Sequence, residues 1–574
     1  MNELMIGNYA IARGFVEAGL EIAAAYPGTP SSEILPGIVE FSKRENAEIH
    51  CEWSVNERVA YEVAYGAALY GKKAACMMKQ VGLNVAFPAF YNFKHHEIKG
   101  SFVIVSCDDP GPQSSQTEQD TRMLCTFMDV TCFDPSSPKE AADVAYFALR
   151  LSFETKRPIV IRPTHRVSHS REAVPLYRPG KRRVRLKEGL ISKGKTAKLG
   201  IVASGMSFSV AIDVLTELNL IRMIPVYKVL RVHPLDTKVK EFAQSLQKVL
   251  ILEETDAVIE AKLNDSKRVY GRLNGFLSGA GELTYDVIKE AITSLCRDSG
   301  IEVQNEIDYA LEDLSKTINI VPRPPKLCSG CPHRACFYAM REAFPEAIFP
   351  GDIGCYTLGI PLGAVDTVVD MGGSVSLASG FYNVFSKENR NIPILASLGD
   401  STFFHACLPA IYDARKKNKK FILVILDNGT TAMTGMQPTP QTGITAKGEK
   451  SRSISIEATL RALGIENIRI VDPYDIPFVI NTIKEAHHHL QKGEGPFAII
   501  SRRECLLLSK RRFEVKIDLE EVCTGCKRCI RYFDCPSLEF DEKEKKVKIN
   551  RDLCVQCGNC LYVCPAKRKR LDSL

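Results

Sequence analysis

A chain of 574 residues is too long for one hydrophobic core and should divide into three or four domains. With 45% hydrophobic and 25% charged residues it is packed rather than disordered, and a net charge of +7 is modest for this size. No stretch is long and apolar enough to span a bilayer.

In chain order, the opening MNELMIGNYAIARG lacks the basic and apolar regions of a signal peptide, which predicts a cytoplasmic protein. Up to residue 185, short apolar runs alternate with helical patterns. Glu21 to Ala25, Ser101 to Cys107 and Pro158 to Arg162 read as buried strands, giving an α/β sheet rich in parallel strands. Pro179 to Lys195 is crowded with Lys, Arg and Gly and reads as a linker. A second α/β unit, 197–300, has strands near Ala197–Ala203, Ile224–Val229 and Val249–Leu252. The stiff PRPPK at Pro322–Lys326 marks a boundary. A third α/β unit, 326–510, has strands at Ile392–Leu398, Phe421–Leu426 and Phe497–Ser501. The remainder, 514–574, is short and dense in cysteine. Its last basic run, Lys567 to Arg570, carries no recognition motif or interleaved aromatics, so it reads as a solvated tail rather than a nucleic-acid site.

Of twenty cysteines, eight fall between Cys523 and Cys564, and such spacing in a cytoplasmic protein points to metal before disulfides. CTGCKRC at Cys523 recurs as CVQCGNC at Cys554, each followed by a further Cys-Pro, an internal duplication. Three closely spaced thiols wrap one face of a cubane, and in two-cluster ferredoxins the fourth cysteine of each run ligates the other cluster. Cys523, Cys526, Cys529 and Cys564 are therefore assigned to one [4Fe–4S] cluster, and Cys554, Cys557, Cys560 and Cys535 to a second. Two zinc ribbons are the alternative, but those show paired knuckles rather than triplets. Five residues separate Cys529 from Cys535 where three separate Cys560 from Cys564, which lengthens one loop without removing a ligand.

In the third unit, SLGDSTFF follows an apolar strand and opens a helix, and FILVILDNGTTAMTG supplies a second strand ending in Asp427-Asn428. A Gly-Asp at one strand end and an Asn at the next is how thiamine diphosphate enzymes hold a divalent cation against the diphosphate. Asp400, Asn428 and the carbonyl of Thr430 offer the hard oxygens Mg²⁺ accepts, and the helix start after Gly399-Asp400 favours an anion. Gly-Asp alone could be a turn with an N-cap. Ser401 replaces the glycine most thiamine enzymes carry there, so the loop must tolerate a Cβ.

AYPGTPSSEI, EWSVNERVA, VGLNVA, SSQTEQD, CSGCPHR, GDIGCYTLG and GDSTFFH occur in that order ahead of the cysteine-dense tail. Together they resemble the alpha subunit family of indolepyruvate ferredoxin oxidoreductase across essentially the whole chain. The resemblance implies a multidomain α/β thiamine diphosphate-binding fold. It would comprise a pyrimidine-binding domain (1–185), a transketolase C-terminal-like domain (197–300), a diphosphate-binding domain (326–510) and a 2[4Fe–4S] ferredoxin-like domain (514–574). It also implies oxidative decarboxylation of a 2-oxoacid, an arylpyruvate first, to acyl-CoA and carbon dioxide. Coenzyme A would be the acyl acceptor, ferredoxin the electron acceptor, and a small beta subunit the partner in a heterodimer or dimer of heterodimers. Glu57 matches the glutamate that hydrogen-bonds the cofactor's aminopyrimidine, although Ser54 to Glu57 also reads as a capping box. Thr29 matches the contact to the 2-oxoacid, or is a turn residue between two prolines. Cys328, Cys331, Cys355 and Cys505 match a third [4Fe–4S] cluster, with a structural turn or a zinc site as alternatives. Cys336, Cys51, Cys76, Cys107, Cys125, Cys132, Cys296 and Cys407 read as small buried hydrophobes. Lys79-Gln80, Gln113 and the aromatic AFPAFYNFKHHE depart from the family pattern and bear on which 2-oxoacid is used. A non-oxidative thiamine decarboxylase or carboligase is the runner-up reading, and an electron-transfer scaffold with an inactive thiamine fold a third.

Overall fold

Apolar runs bounded by turn residues become strands buried on both faces, and in the computed structural model they assemble within two compact units, Met1–Asn319 and Ile320–Leu574. The structure describes residues 2–93, 97–184, 186–265, 267–303, 317–318 and 324–567. Residues 568–570 of the basic tail, 322–323 of the proline-rich boundary and 94–96 of the aromatic segment lie outside them.

The first unit holds β1 (Asn2–Ile6), β2 (Ile22–Ala25), β3 (His50–Trp53), β4 (Lys73–Lys79), β5 (Ser101–Cys107), β6 (Thr131–Phe133) and β7 (Ile159–Ile161). It continues with β8 (Arg171–Pro175), β9 (Gly189–Ser192), β10 (Leu199–Ser204), β11 (Val226–Val229), β12 (Arg231–His233), β13 (Lys248–Leu252) and β14 (Val269–Tyr270). One sheet runs β12-β6-β7-β5-β4-β2-β3, parallel except for β12. Its register sets Trp53, Ala25 and Met77 side by side, so neighbouring strands end at one edge. Tyr61, Phe90 and Phe102 fill the space between this sheet and its helices.

The second sheet runs β14-β13-β10-β11-β9. Here the expected linker is corrected: Gly189–Ser192 pairs antiparallel with β11 as an edge strand. Its exposed, weakly alternating residues serve an edge, which is why no periodicity marks it. Arg182, also in that stretch, is buried and pairs with Glu17 at 2.5 Å and with Asp143. In exchange, β12 follows the second sheet's β11 yet completes the first.

A buried charge network joins the carboxyl ends of the two sheets. Arg122 donates to Asp120 at 2.6 Å, Glu253 at 3.1 Å and Ser204 at 3.3 Å, while Arg162 donates to Asp108 at 2.6 Å and Asp134 at 3.3 Å. Burial opposes the Asp120 charge, but Arg122 and Arg162 together hold its carboxyl below the usual range.

The second unit contains β15 (Leu395–Gly399), β16 (Ile422–Asp427), β17 (Ile468–Val471) and β18 (Phe497–Arg502), a parallel sheet in the order β15-β16-β18-β17. A hairpin, β19 (Leu538–Asp541) and β20 (Lys546–Ile549), belongs to the tail. One core runs continuously from Phe337 and Val479 through Ile499 to Val547 and Val563, so the tail shares apolar packing with the sheet. Among the described residues no helix is long and apolar enough to cross a membrane.

Candidate active site

Strands β15 and β16 are adjacent and parallel, and their carboxyl ends bring Asp400 and Asn428 together. Gly399 is required where it stands: a Cβ there would lie 2.5 Å from the Tyr356 ring, which packs against this strand end. The helix opening at Asp400 passes through a π-turn, Phe403–Cys407, before continuing as Leu408–Lys416. Ser401 has ordinary helical backbone in the first turn, so its Cβ costs nothing.

Asp400 is 3% exposed. Its carboxylate accepts from Ser401 N at 2.8 Å, Gly429 N at 3.0 Å and Gln441 Nε2 at 2.8 Å. Among the described residues no cationic side chain pairs with it, and burial, reinforced by the Asp427 charge, pushes it up to about 7. Asp427 by contrast is neutralised by Arg502 at 2.6 Å. Among the described residues Asn428 Oδ1 accepts from Thr430 N alone, at 3.1 Å, and the amide nitrogen of Asn428 lies 3.2 Å from His333 Nε2. Burial lowers the His333 imidazole to about 4, so the ring is neutral and accepts from the amide, turning Asn428 Oδ1 away. An uncompensated buried carboxylate, a neutral amide oxygen and nearby backbone carbonyls form a donor set that fits a hard divalent cation. Asn428, Thr430, Gln441 and Arg502 line a cavity of about 530 Å³. That volume is within the range for a cofactor. His333 and Gln441 were not singled out from sequence; only the adjacency of CPHR to a cysteine pair hinted at the first.

In the first unit Glu57 is the first residue of the helix Glu57–Leu69 and is 6% exposed. The capping-box alternative is overturned. The N-cap is Asn56, whose side chain accepts from Val59 N at 2.9 Å, and Ser54 donates instead to Glu52 at 3.0 Å. Glu57 lies against Gly82 in the first turn of the helix Gln80–Asn92, where a Cβ would come within 2.6 Å of its carboxylate. Thr29 stands in the turn after β2, and its carbonyl lies 3.1 Å from Ser114 Oγ. Gln80 is fully buried and donates to Ser115 Oγ at 3.0 Å.

Twelve cysteines of the second unit act on one another electrostatically in three sets of four. Burial and then the thiols of Cys564, Cys523 and Cys526 push Cys529 up to about 11. Burial followed by Cys535 and Cys554 does the same to Cys557, and Cys560 is raised by burial and then by Cys557, Cys535 and Cys554. Backbone N–H groups of Gly525 and Val547 reach Cys523 Sγ at 3.4 and 3.2 Å. Cys355 is raised to about 12 by burial and then by Cys505 and Cys328, and Cys331, raised mainly by burial, also feels Cys355. Among the described residues no three His, Cys, Asp or Glu side chains close around a single ion. A cubane spreads its thiolates over four irons, so its ligands stand wider apart. The eight remaining cysteines are all buried.

Two contacts tie the segments of Cys331 and Cys505 to the end of β16. Cys505 N donates to the Asn428 carbonyl at 3.0 Å, and His333, two residues beyond Cys331, meets the Asn428 amide.

Four family models match in succession: pyruvate flavodoxin/ferredoxin oxidoreductase, thiamine diphosphate-binding, over residues 13–209; indolepyruvate oxidoreductase domain over 190–294; thiamine pyrophosphate enzyme, C-terminal TPP-binding domain, over 352–500; and 4Fe-4S dicluster domain over 514–565. Indolepyruvate oxidoreductase subunit IorA of Archaeoglobus fulgidus is 36% identical, covering 98% of this chain and 96% of its own length. The IorA subunits of Thermococcus kodakarensis and Methanothermobacter marburgensis are 36% and 37% identical with the same coverage.

Proposed function

The chain belongs to the family of indolepyruvate oxidoreductase subunit IorA, and on that premise we propose that it oxidatively decarboxylates an arylpyruvate, indolepyruvate or a close analogue. It is the catalytic subunit of a thiamine diphosphate-dependent 2-oxoacid:ferredoxin oxidoreductase with a 4Fe-4S dicluster domain. In the proposed reaction coenzyme A takes the acyl group, carbon dioxide leaves, and ferredoxin receives the electrons. A small beta subunit completes the enzyme, which works in the cytoplasm. The four segments 1–185, 197–300, 326–510 and 514–574 take the pyrimidine-binding, transketolase C-terminal-like, diphosphate-binding and ferredoxin roles.

When bound, thiamine diphosphate supplies a carbon nucleophile and an electron sink for decarboxylation. Asp400, Asn428 and the Thr430 carbonyl would hold Mg²⁺ against the diphosphate, and Gly399 and Ser401 would bring the helix start to the phosphates. Gln441, which now donates to Asp400, would give up that bond to the cation. Glu57, shielded from water, would hydrogen-bond the aminopyrimidine ring nitrogen. Thr29 contacts the substrate. Cys328, Cys331, Cys355 and Cys505 would hold a [4Fe–4S] cluster, and the two tail quartets one each, which would supply one-electron carriers.

The observation that supports this reading is the pair of contacts from Asn428 to Cys505 and His333, because a cluster on Cys505 would then lie beside the carbon chemistry. Anaerobic turnover of a 2-oxoacid panel, with the beta subunit and coenzyme A present and viologen as acceptor, tests it. Reduction with an arylpyruvate is the expected result. Carbon dioxide release without viologen reduction would replace it with a non-oxidative decarboxylase.

A further inference from the structure

Parallel α/β sheets bind ligands in the crevice beyond the carboxyl ends of their strands. Three neighbouring strands of the first sheet meet there: β2 leads to Gly28 and Thr29, β4 ends at Lys79, and β5 leads to Asp108 and Asp109. The Lys79 stem lies flat against the first turn, since a Cβ on Gly28 would stand 2.9 Å from Lys79 Cβ and 3.8 Å from its Cδ. Its Nζ donates to the Ser114 carbonyl at 2.9 Å. Ser114 Oγ lies 3.1 Å from both the Thr29 carbonyl and Asp109 Oδ2, closing the crevice from the third strand.

An ammonium carries three donors. The Ser114 carbonyl is the one hydrogen-bond partner of Lys79 among the described residues. Asp109 is the acid that acts on it electrostatically, but that carboxylate already accepts from Gln113 N, Ser114 N and Ser115 Oγ at 3.2, 2.8 and 2.8 Å. Burial lowers the Lys79 pKa, so the charge is under-solvated as well as under-paired. Glu57, at the start of its own helix, packs against Gly82 in the first turn of the helix Gln80–Asn92, so the cation and the buried acid flank residues 80–82. Gln80 between them is 0% exposed, and its Oε1 has no hydrogen-bond partner among the described residues.

We propose that Lys79 binds the carboxylate of the 2-oxoacid, in the crevice it shares with Thr29 and Ser114, and is the residue that makes the enzyme select acids over neutral carbonyl compounds. This rests on the 2-oxoacid reading above and adds to it a specificity-determining residue. A carboxylate would accept from the ammonium donors that Ser114 leaves unused and gain a charge-assisted bond in a half-buried setting. The neutral amide or ester of the same compound gains neither.

The test uses the whole enzyme with its beta subunit and compares wild type with Lys79→Gln, Lys79→Met and Lys79→Arg. Lys79→Gln keeps a donor for the Ser114 carbonyl and removes only the charge. It should raise KM for the arylpyruvate about 10- to 100-fold, with kcat within about threefold and thiamine diphosphate affinity unchanged. Lys79→Arg should restore most of the KM. Binding of an arylpropionate and of its amide, measured by calorimetry, gives a readout independent of turnover. Wild type should prefer the acid by at least about tenfold, and Lys79→Gln and Lys79→Met should bind the two alike. An unchanged KM, or an acid preference that survives loss of the charge, overturns the proposal. So does a matching fall in melting temperature and cofactor affinity in all three variants, which would make Lys79 a pin for the Ser114 turn. A wild type inactive on every 2-oxoacid defeats the functional reading instead, and the acid-against-amide comparison still decides the lysine.

Discussion

Replacing Gly82 by alanine tests Glu57 without touching it. The new Cβ would stand 2.6 Å from Glu57 Cγ and Oε1 and 2.8 Å from Cδ, whereas ordinary contact begins at 3.4 Å. The carboxylate must therefore retreat by the difference between 3.4 and 2.6 Å, or 0.8 Å. Glu57 is 6% exposed and has little free space to retreat into. Overpacking of this kind costs about 1–3 kcal/mol, and replacing a helical glycine by alanine returns roughly 0.8–1 kcal/mol, so the fold loses about 2 kcal/mol at most. Catalysis loses more, because a misplacement of about 1 Å in a reacting group costs on the order of 100-fold. The expected outcome is a kcat about 100-fold below wild type in the viologen assay, with iron content and melting temperature nearly retained. Glu57→Gln should fall at least as far. If Gly82→Ala turned over within about threefold of wild type while Glu57→Gln was inactive, the steric argument would be refuted. If both retained activity, Glu57 would lose its assigned role.

Asp400→Asn should weaken Mg²⁺-dependent thiamine diphosphate binding by at least about tenfold in calorimetry, since it removes the one uncompensated buried charge at the cation site. Cys505→Ser should lower anaerobic iron content by about four atoms per chain and leave the tail clusters visible by electron paramagnetic resonance. Unchanged iron would return this quartet to a structural role. Arg122→Met should destabilise the first unit by about 3–5 kcal/mol, read as an early transition in thermal unfolding, because it strands Asp120 and Glu253 as buried charges. The double variant with Asp120→Asn should recover part of that loss.

Where the sequence was legible, one physical rule dominated the position. Ser101–Cys107 is apolar or small throughout, and a strand buried on both faces needs nothing else. The cysteine triplets were legible because cubane ligation constrains both residue type and spacing. Gly189–Ser192 was not, since an edge strand of an exposed, glycine-flanked segment carries no alternation. The cap of the Glu57 helix went to Asn56 rather than Ser54 because both residue types cap well, and the packing of Glu57 on Gly82 favours the register that starts at Glu57. His333 and Gln441 are partners across 95 and 41 positions respectively, and no local pattern encodes a contact at that range. Lys79 is of the same kind: a lysine at a strand end reads as solvated until the turn from a neighbouring strand is seen to close over it.

The order of electron transfer can be argued from what lies between the quartets. Gly330, inside the Cys328–Cys331 turn, has positive φ, and a Cβ there would lie 2.4 Å from Val555, the residue after Cys554. Tyr474 is raised by burial and then by Cys557, and it also feels Cys331, while its hydroxyl donates to the Gly330 carbonyl. The quartet beside the cation site thus abuts the Cys554 quartet through one turn and one phenol. On the far side Cys560 of that quartet feels Cys529 of the other. With a cluster in each quartet, electrons leaving the carbon chemistry would reach the Cys554 quartet before the Cys523 quartet. Cys526 of the latter is exposed, where a soluble acceptor could approach. The tail is held in that relation by Arg334, which donates to the carbonyls of Phe533 and Asp534 from the helix that follows the Cys328–Cys331 turn. The ion pairs Lys326–Asp534 and Arg528–Glu342 and the shared apolar core act with this buried arginine to hold the tail against the sheet.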